Sequence, residues 1–126
     1  MTAQRDTPAP VEIEPPDSVL IAISNAPDAA LAESMARVLV EERLAACVNL
    51  LAPCLSIYRW QGAVEQATEV PMLIKTTRRR WAALEARLRE LHPYDVPELI
   101  AVQPAALLPA YASWVISETR RPNARR

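Results

Sequence analysis

The densest group of chemically capable side chains lies in seven consecutive residues, His92-Pro93-Tyr94-Asp95-Val96-Pro97-Glu98. Two prolines stiffen this stretch, so an imidazole, a phenol and two carboxylates share a loop of limited freedom. Imidazole with carboxylates suits a borderline divalent metal such as copper or zinc. His92 is the only histidine of the chain, and it makes the candidate metal pair with Asp95. One imidazole beside carboxylates is an incomplete shell, because strong sites use three or four fixed protein ligands, so weak binding is expected. A second group, Tyr58, Arg59, Trp60 and Lys75, falls on two neighbouring apolar segments, and its cations would suit a small anion. The competing reading of the loop is a plain helix terminator whose His and Glu make structural hydrogen bonds.

Nucleophilic chemistry finds less support. Cys47 and Cys54 are seven residues apart, a spacing of neither a redox CxxC motif nor a zinc knuckle. Cys47 sits in Ala45-Ala46-Cys47-Val48, and an apolar setting raises a thiol's pKa and blunts it as a nucleophile. Both cysteines therefore read as buried, unpaired thiols. No Gly-X-Ser-X-Gly elbow is present. A catalytic pairing of either thiol with His92 is the weakest reading, and no enzymatic activity is expected.

The elements that must position these residues follow from periodicity. Val19-Leu20-Ile21-Ala22-Ile23 is a short apolar run of the kind a buried strand makes. Asp28 is a helix N-cap, followed by an apolar face at Leu31, Met35, Val38 and Leu39, with Glu33 and Arg37 paired outside. Cys47 to Trp60 reads as one long strand bent at Pro53, and Gln61-Gly62 as a tight turn using positive φ at Gly62. The return strand runs from Val64 to Lys75, and Pro71 within it requires an edge or a bulge. Thr76 or Thr77 caps a second helix with Trp81, Leu84, Leu88 and Leu91 on one face and a Glu85–Arg89 pair outside; Pro93 stops it. Leu99 to Val102 is a last strand, and Leu107, Leu108, Tyr111, Trp114 and Val115 give a short third helix. The order βαββαβ plus a C-terminal helix predicts an α+β, ferredoxin-like sandwich with an extended central hairpin.

Composition narrows the function. The chain has 126 residues, enough for one domain, and a net charge of −1. The first predicted strand and the return strand carry no aromatic residue on which bases could stack, and a basic excess is missing, so nucleic acid is not an expected partner. A single glycine excludes a P-loop or a dinucleotide fingerprint. The longest nearly apolar run, Pro104 to Ile116, is too short to span a bilayer, and Met1 to Pro16 has no apolar core of an export signal. A cytoplasmic protein is the expectation. Residues 1–17 are proline-rich with charge −3 and read as a disordered tail, 18–118 as the domain, and 119–126 as a basic tail.

Four stretches in unbroken order, Glu42-Arg43-Leu44-Ala45-Ala46-Cys47-Val48-Asn49, Ser56-Ile57-Tyr58-Arg59-Trp60-Gln61-Gly62, Ile74-Lys75-Thr76 and the His92 to Glu98 loop, resemble the CutA divalent-cation-tolerance family. The resemblance implies a homotrimer of ferredoxin-like subunits, similar in architecture to the PII signalling proteins, and a role in metal-ion tolerance without enzymatic activity. A metal-responsive or ligand-sensing trimer is the expectation, with a cleft formed by Tyr58, Trp60, Lys75, His92, Tyr94 and Glu98. Some bacterial members carry a cysteine at the end of the first strand and a second histidine, groups thought to bind copper; the corresponding residues here are Ser24 and Leu91. The family's turn glycine after Pro53 is Cys54, and its hairpin-tip lysine is Gln61.

The hairpin supports assembly independently of the family. Tyr58 and Trp60 share one strand face next to the Gly62 turn, beyond the reach of two helices. Large aromatics on an uncovered ribbon with open backbone edges call for a cover. A second copy of the ribbon would supply one, and cyclic repetition closes such an assembly. The competing reading of the hairpin is a monomer with two half-exposed aromatics, and that of the function is a stable structural scaffold with no ligand of its own.

Overall fold

The computed structural model describes residues 15–121. Most of the expected N-terminal tail and residues 122–126 of the basic tail lie outside the described residues. The elements are β1 (Val19–Ala26), α1 (Ala29–Glu41), β2 (Cys47–Leu50), β3 (Cys54–Trp60), β4 (Ala63–Thr77), α2 (Arg78–Leu91), β5 (Ile100–Val102) and α3 (Pro109–Thr119). The sheet is antiparallel in the order β2-β4-β1-β5, with β3 also paired to β4. Counting β2 and β3 as one strand broken at Ala52-Pro53 gives the ferredoxin-like arrangement that the periodicity predicts. Among the described residues, no helix is long and apolar enough to cross a membrane.

Alternation along the strands decides what each face meets. Ala22, Ala26, Val70, Met72 and Ile74 point to one face and pack on Met35, Leu39, Leu84 and Leu88 of α1 and α2. The other face is covered at one end only, where Val115 of α3 packs with Val19 and Ala46. Asp28 caps α1 as expected, its Oδ1 accepting from the Leu31 N–H at 2.8 Å, and Glu33 pairs with Arg37 at 3.0 Å. The buried face of α1 is Ala32, Met35 and Leu39, rotated slightly from the expected stripe because Leu31 and Val38 sit at its margins. On α2 the ion pairs come from Arg79, to Asp17, and from Arg87, to Glu42 and Glu90, and not from Arg89.

Two helix ends are built in ways that local sequence does not announce. Helix α1 ends in a Schellman motif: the Leu44 N–H donates to the Leu39 carbonyl and the Arg43 N–H to the Val40 carbonyl. Glycine usually holds the left-handed residue of this motif, yet here it is Arg43, with φ 60°. The buried Leu39–Leu44 contact compensates for that backbone. Helix α2 begins at Thr77 without a side-chain cap. Its first amides donate instead to carbonyls of the segment before β1, Arg78 to Ser18 at 2.9 Å and Arg79 to Pro16 at 2.7 Å. Thr76 is turned into the core, where its hydroxyl donates to the Leu44 carbonyl at 2.7 Å.

The ribbon made by β3 and the first part of β4 turns at Gln61 (φ 50°) and Gly62 (φ 82°). Positive φ at both central residues is the type I′ geometry that matches strand twist. Pro71 accepts from the Leu51 N–H at 2.9 Å, so its missing donor points to the same edge, at the break between β2 and β3. The expected bulge is that break. One expectation fails: Cys54 is exposed and Cys47 half-buried, because Cys54 begins a ribbon that no helix covers. Nothing lies within 4 Å of a Cβ added at Gly62, so Gly62→Ala should cost only the left-handed backbone penalty, about 1–2 kcal/mol. Thermal or urea unfolding checks this, and Gly62→Asn should cost less.

Candidate functional site

The two-residue turn fixes the hairpin register, and the register builds the site. Trp60 pairs with Ala63, Tyr58 with Glu65, Ser56 with Ala67 and Cys54 with Glu69. Directly paired residues share a face, so Tyr58, Trp60, Glu65 and Glu69 point the same way. The loop after α2 comes to meet that face. An open cavity of about 740 Å³ lies between them, walled by Tyr58, Trp60 and Tyr94 and carrying the carboxylates Glu65, Glu69, Asp95 and Glu98. None of the residues lining it is a lysine or an arginine.

Long-range hydrogen bonds hold the loop in place. Ser24 Oγ donates to the Glu98 carbonyl at 2.7 Å, and Asn25 Nδ2 donates to Glu98 Oε1 at 2.8 Å. The Tyr94 hydroxyl donates to Glu69 Oε2 at 3.0 Å. Burial, the Glu69 carboxylate and the nearby Tyr58 push the Tyr94 phenol up to about 12. It therefore stays protonated and keeps donating across the physiological range.

His92 occupies a different place from the one expected. It is 6% exposed and sits behind Tyr94, with ring centroids 4.6 Å apart. Its Nδ1 accepts from the Tyr94 N–H at 3.2 Å, which leaves Nε2 to carry the proton and donate to the Asn25 carbonyl at 2.6 Å. Both ring nitrogens are thus engaged, and neither has a lone pair to offer a metal. Asp95 lines the cavity, yet the described residues contain no group of three or more His, Cys, Asp or Glu side chains able to hold a metal ion. The residues present do not fit a metal centred on His92 and Asp95, and the terminator reading of His92 accounts for its geometry.

Of the expected ligand residues, Tyr58, Trp60, Tyr94 and Glu98 are brought together. Lys75 is not. It lies on β4 in register with Cys47 and Ile21, and its ammonium donates to Asn49 Oδ1. Arg59 pairs with Val64 on the ribbon face turned away from the cavity. Sequence reasoning misses Asn25, Glu65 and Glu69. The signal for the two glutamates is the Gln61-Gly62 turn, since counting outward from it places both opposite β3 residues of the cavity face.

Two measurements check this geometry. Ultraviolet titration should find one phenol ionising near 12, and Glu69→Gln should lower it in part, because burial, the larger cause, remains. The native state holds that proton more tightly than the unfolded chain. Tyr94 thus contributes stability fully present below about pH 10, and lost as pH rises toward 12. His92→Ala should destabilise by roughly 1–3 kcal/mol through the unpaired Asn25 carbonyl. Calorimetry should show Zn²⁺ and Cu²⁺ affinity unchanged by it.

Comparisons with known proteins agree with the fold and the motif order. Residues 20–118 match the family described as CutA1 divalent ion tolerance protein. The divalent-cation tolerance protein CutA of Thermus thermophilus is 41% identical over 99 residues, which are 79% of this chain and 96% of that protein. Protein CutA of Mus musculus is 44% identical over 100 residues, 79% of this chain but 56% of that longer protein. The crystal structure of CutA from Xylella fastidiosa superposes with a TM-score of 0.79 at 47% identity, covering 82% of this chain and 99% of that one. The Thermus thermophilus structure gives 0.79 at 40% identity, over 81% and 99% of the two chains. The chain belongs to the CutA1 family of divalent ion tolerance proteins.

Proposed function

We propose that this protein is a non-enzymatic binding protein of the divalent-cation-tolerance type that works as a homotrimer and holds a small cationic ligand in the cleft between its ribbon and its Tyr94 loop. The observation that carries the ligand class is the cleft's composition: three aromatic rings and four carboxylates, with no basic side chain among its lining residues. Such a wall attracts a cation by Coulomb and cation–π terms together. A coordinated metal would need converging ligand atoms, and the ring nitrogens of His92 are already committed.

Assembly is supported by the ribbon. From Cys54 to Thr68 no residue is buried, although a lone two-stranded ribbon is marginal in water. Leu55, Ile57 and Val64 alternate with the cleft-facing residues along the ribbon and are 58%, 67% and 65% exposed, although Ile57 also borders the cleft. Ile100 and Val102, in register with Leu73 and Lys75 through Ile23 and Ile21, are exposed apolar residues on the opposite, uncovered side of the sheet. Tyr58 and Trp60, at 40% and 43% exposure, face the cleft. This favours Leu55, Ile57 and Val64 as the face another subunit covers. A trimer is the assembly that the family resemblance implies.

Val64→Asp tests assembly without threatening the subunit, because the new carboxylate would face Arg59 across the ribbon. Light scattering coupled to size exclusion should give three chains for the native protein and fewer for the variant; a native mass of one or two chains contradicts the trimer. For the cleft, calorimetric titration with tetramethylammonium and spermidine should show binding that Trp60→Ala weakens at least tenfold. No binding of either probe would leave the scaffold reading in its place.

A further inference from the structure

A second cavity of about 580 Å³ is lined by Arg79, Arg80, Arg120 and Arg121. The first two come from the opening turn of α2 and the last two follow α3. The folding of two helix ends onto one spot therefore gathers four guanidiniums that are far apart in sequence. Three of them are held. Arg79 Nε meets Asp17 Oδ1 at 3.2 Å, and Arg120 Nη2 meets Asp17 Oδ2 at 3.4 Å. Arg80 donates from Nε to the Arg43 carbonyl at 3.1 Å and from Nη2 to the Glu42 carbonyl at 3.4 Å. Arg121 has no hydrogen-bond or ion-pair partner among the described residues.

Among the described residues the charge is only partly compensated. Asp17 is the one described carboxylate paired with these four cations, and each of its oxygens is already in an ion pair. By contrast, Arg37 pairs with Glu33, Arg43 with Glu118, and Arg87 with both Glu42 and Glu90. The bonds of Arg80 to carbonyls orient its guanidinium without neutralising it. Burial and the Arg121 guanidinium both push Arg80 below the usual arginine range, so the cations repel one another. The first turn of α2 carries no acidic residue, and the positive end of the helix dipole adds to the same field.

We propose that this arginine cavity binds a phosphate-type oxyanion of multiple charge, at a site separate from the aromatic cleft. Guanidinium forks match the tetrahedral oxygens of phosphate in bidentate fashion and are weakly hydrated, so they give up water at low cost. An anion of two or more charges would relieve the repulsion that Asp17 alone cannot. Because the guanidiniums come from the ends of both α2 and α3, occupancy should also tie those two ends together.

The test is calorimetric titration of the 126-residue protein with inorganic phosphate, pyrophosphate and tripolyphosphate, at ionic strength matched with chloride. Saturable binding that strengthens with ligand charge is expected. Arg121→Gln, which removes a side chain with no partner to lose, should weaken tripolyphosphate at least threefold, and Arg120→Gln/Arg121→Gln at least tenfold. Thermal midpoints without added phosphate should match the native protein for Arg121→Gln, showing that the loss is not one of folding. Non-saturable heats that chloride abolishes, or affinity unchanged in Arg121→Gln and the double variant, would overturn the proposal. Binding that Trp60→Ala removes would assign the anion to the other cavity and overturn it equally.

Discussion

One strand carries the whole architecture. β4 is fifteen residues long, and it changes partner partway along. Its second part is sandwiched between β1 and β2 in the sheet, where Val70, Met72 and Ile74 enter the core. Its first part leaves the helices behind and pairs only with β3. Pro71 stands at the change, where its missing amide donor points to the break between β2 and β3 and not to its β1 partner Asn25. The rest follows from that division. The continuous strand transmits the register of the sheet to the ribbon, so Glu65 and Glu69 end up under the Tyr94 loop. The same continuity thrusts an apolar ribbon face into solvent.

Local chemistry was legible in the residues, and long-range chemistry was not. Asp28, Gln61-Gly62 and Pro93 act on their immediate neighbours, and each does in the structure what its type predicts. The end of α1 was hidden because the residue in the left-handed conformation is an arginine in a chain with a single glycine. The start of α2 was hidden because its capping groups are backbone carbonyls of Pro16 and Ser18, and a backbone carbonyl carries no residue signature. At the site, the aromatic members were readable from the ribbon and the loop. The role of His92 was not, since the acceptor that occupies its Nε2 is the Asn25 carbonyl, 67 residues away. Lys75, expected in the cleft, shares a strand face with Glu69 but lies six residues further along β4, where its ammonium is held by Asn49.

A net charge of −1 conceals a polarised molecule. The cleft near the ribbon gathers carboxylates around aromatic rings, while the cavity after the far end of β4 gathers guanidiniums. Both arrangements arise from the same strand, whose first part supplies Glu65 and Glu69 and whose last residue leads into Arg79 and Arg80. Segregation of this kind costs Coulomb energy within each cluster. It is sustained only where rigid elements hold the charges, as the Ser24, Asn25 and Tyr94 bonds do for the cleft and the Asp17 and carbonyl bonds do for the arginines.

The central claim is that the ribbon face bearing Leu55, Ile57 and Val64 is covered by another subunit. Hydrogen exchange over residues 54–68 in the native protein reads this directly, because only a covered ribbon can hold its amides closed as firmly as a core strand. The account predicts protection there comparable to residues 70–76, and its loss on dilution below the assembly threshold. Rapid exchange of residues 54–68 at every concentration, with 70–76 still protected, would contradict it.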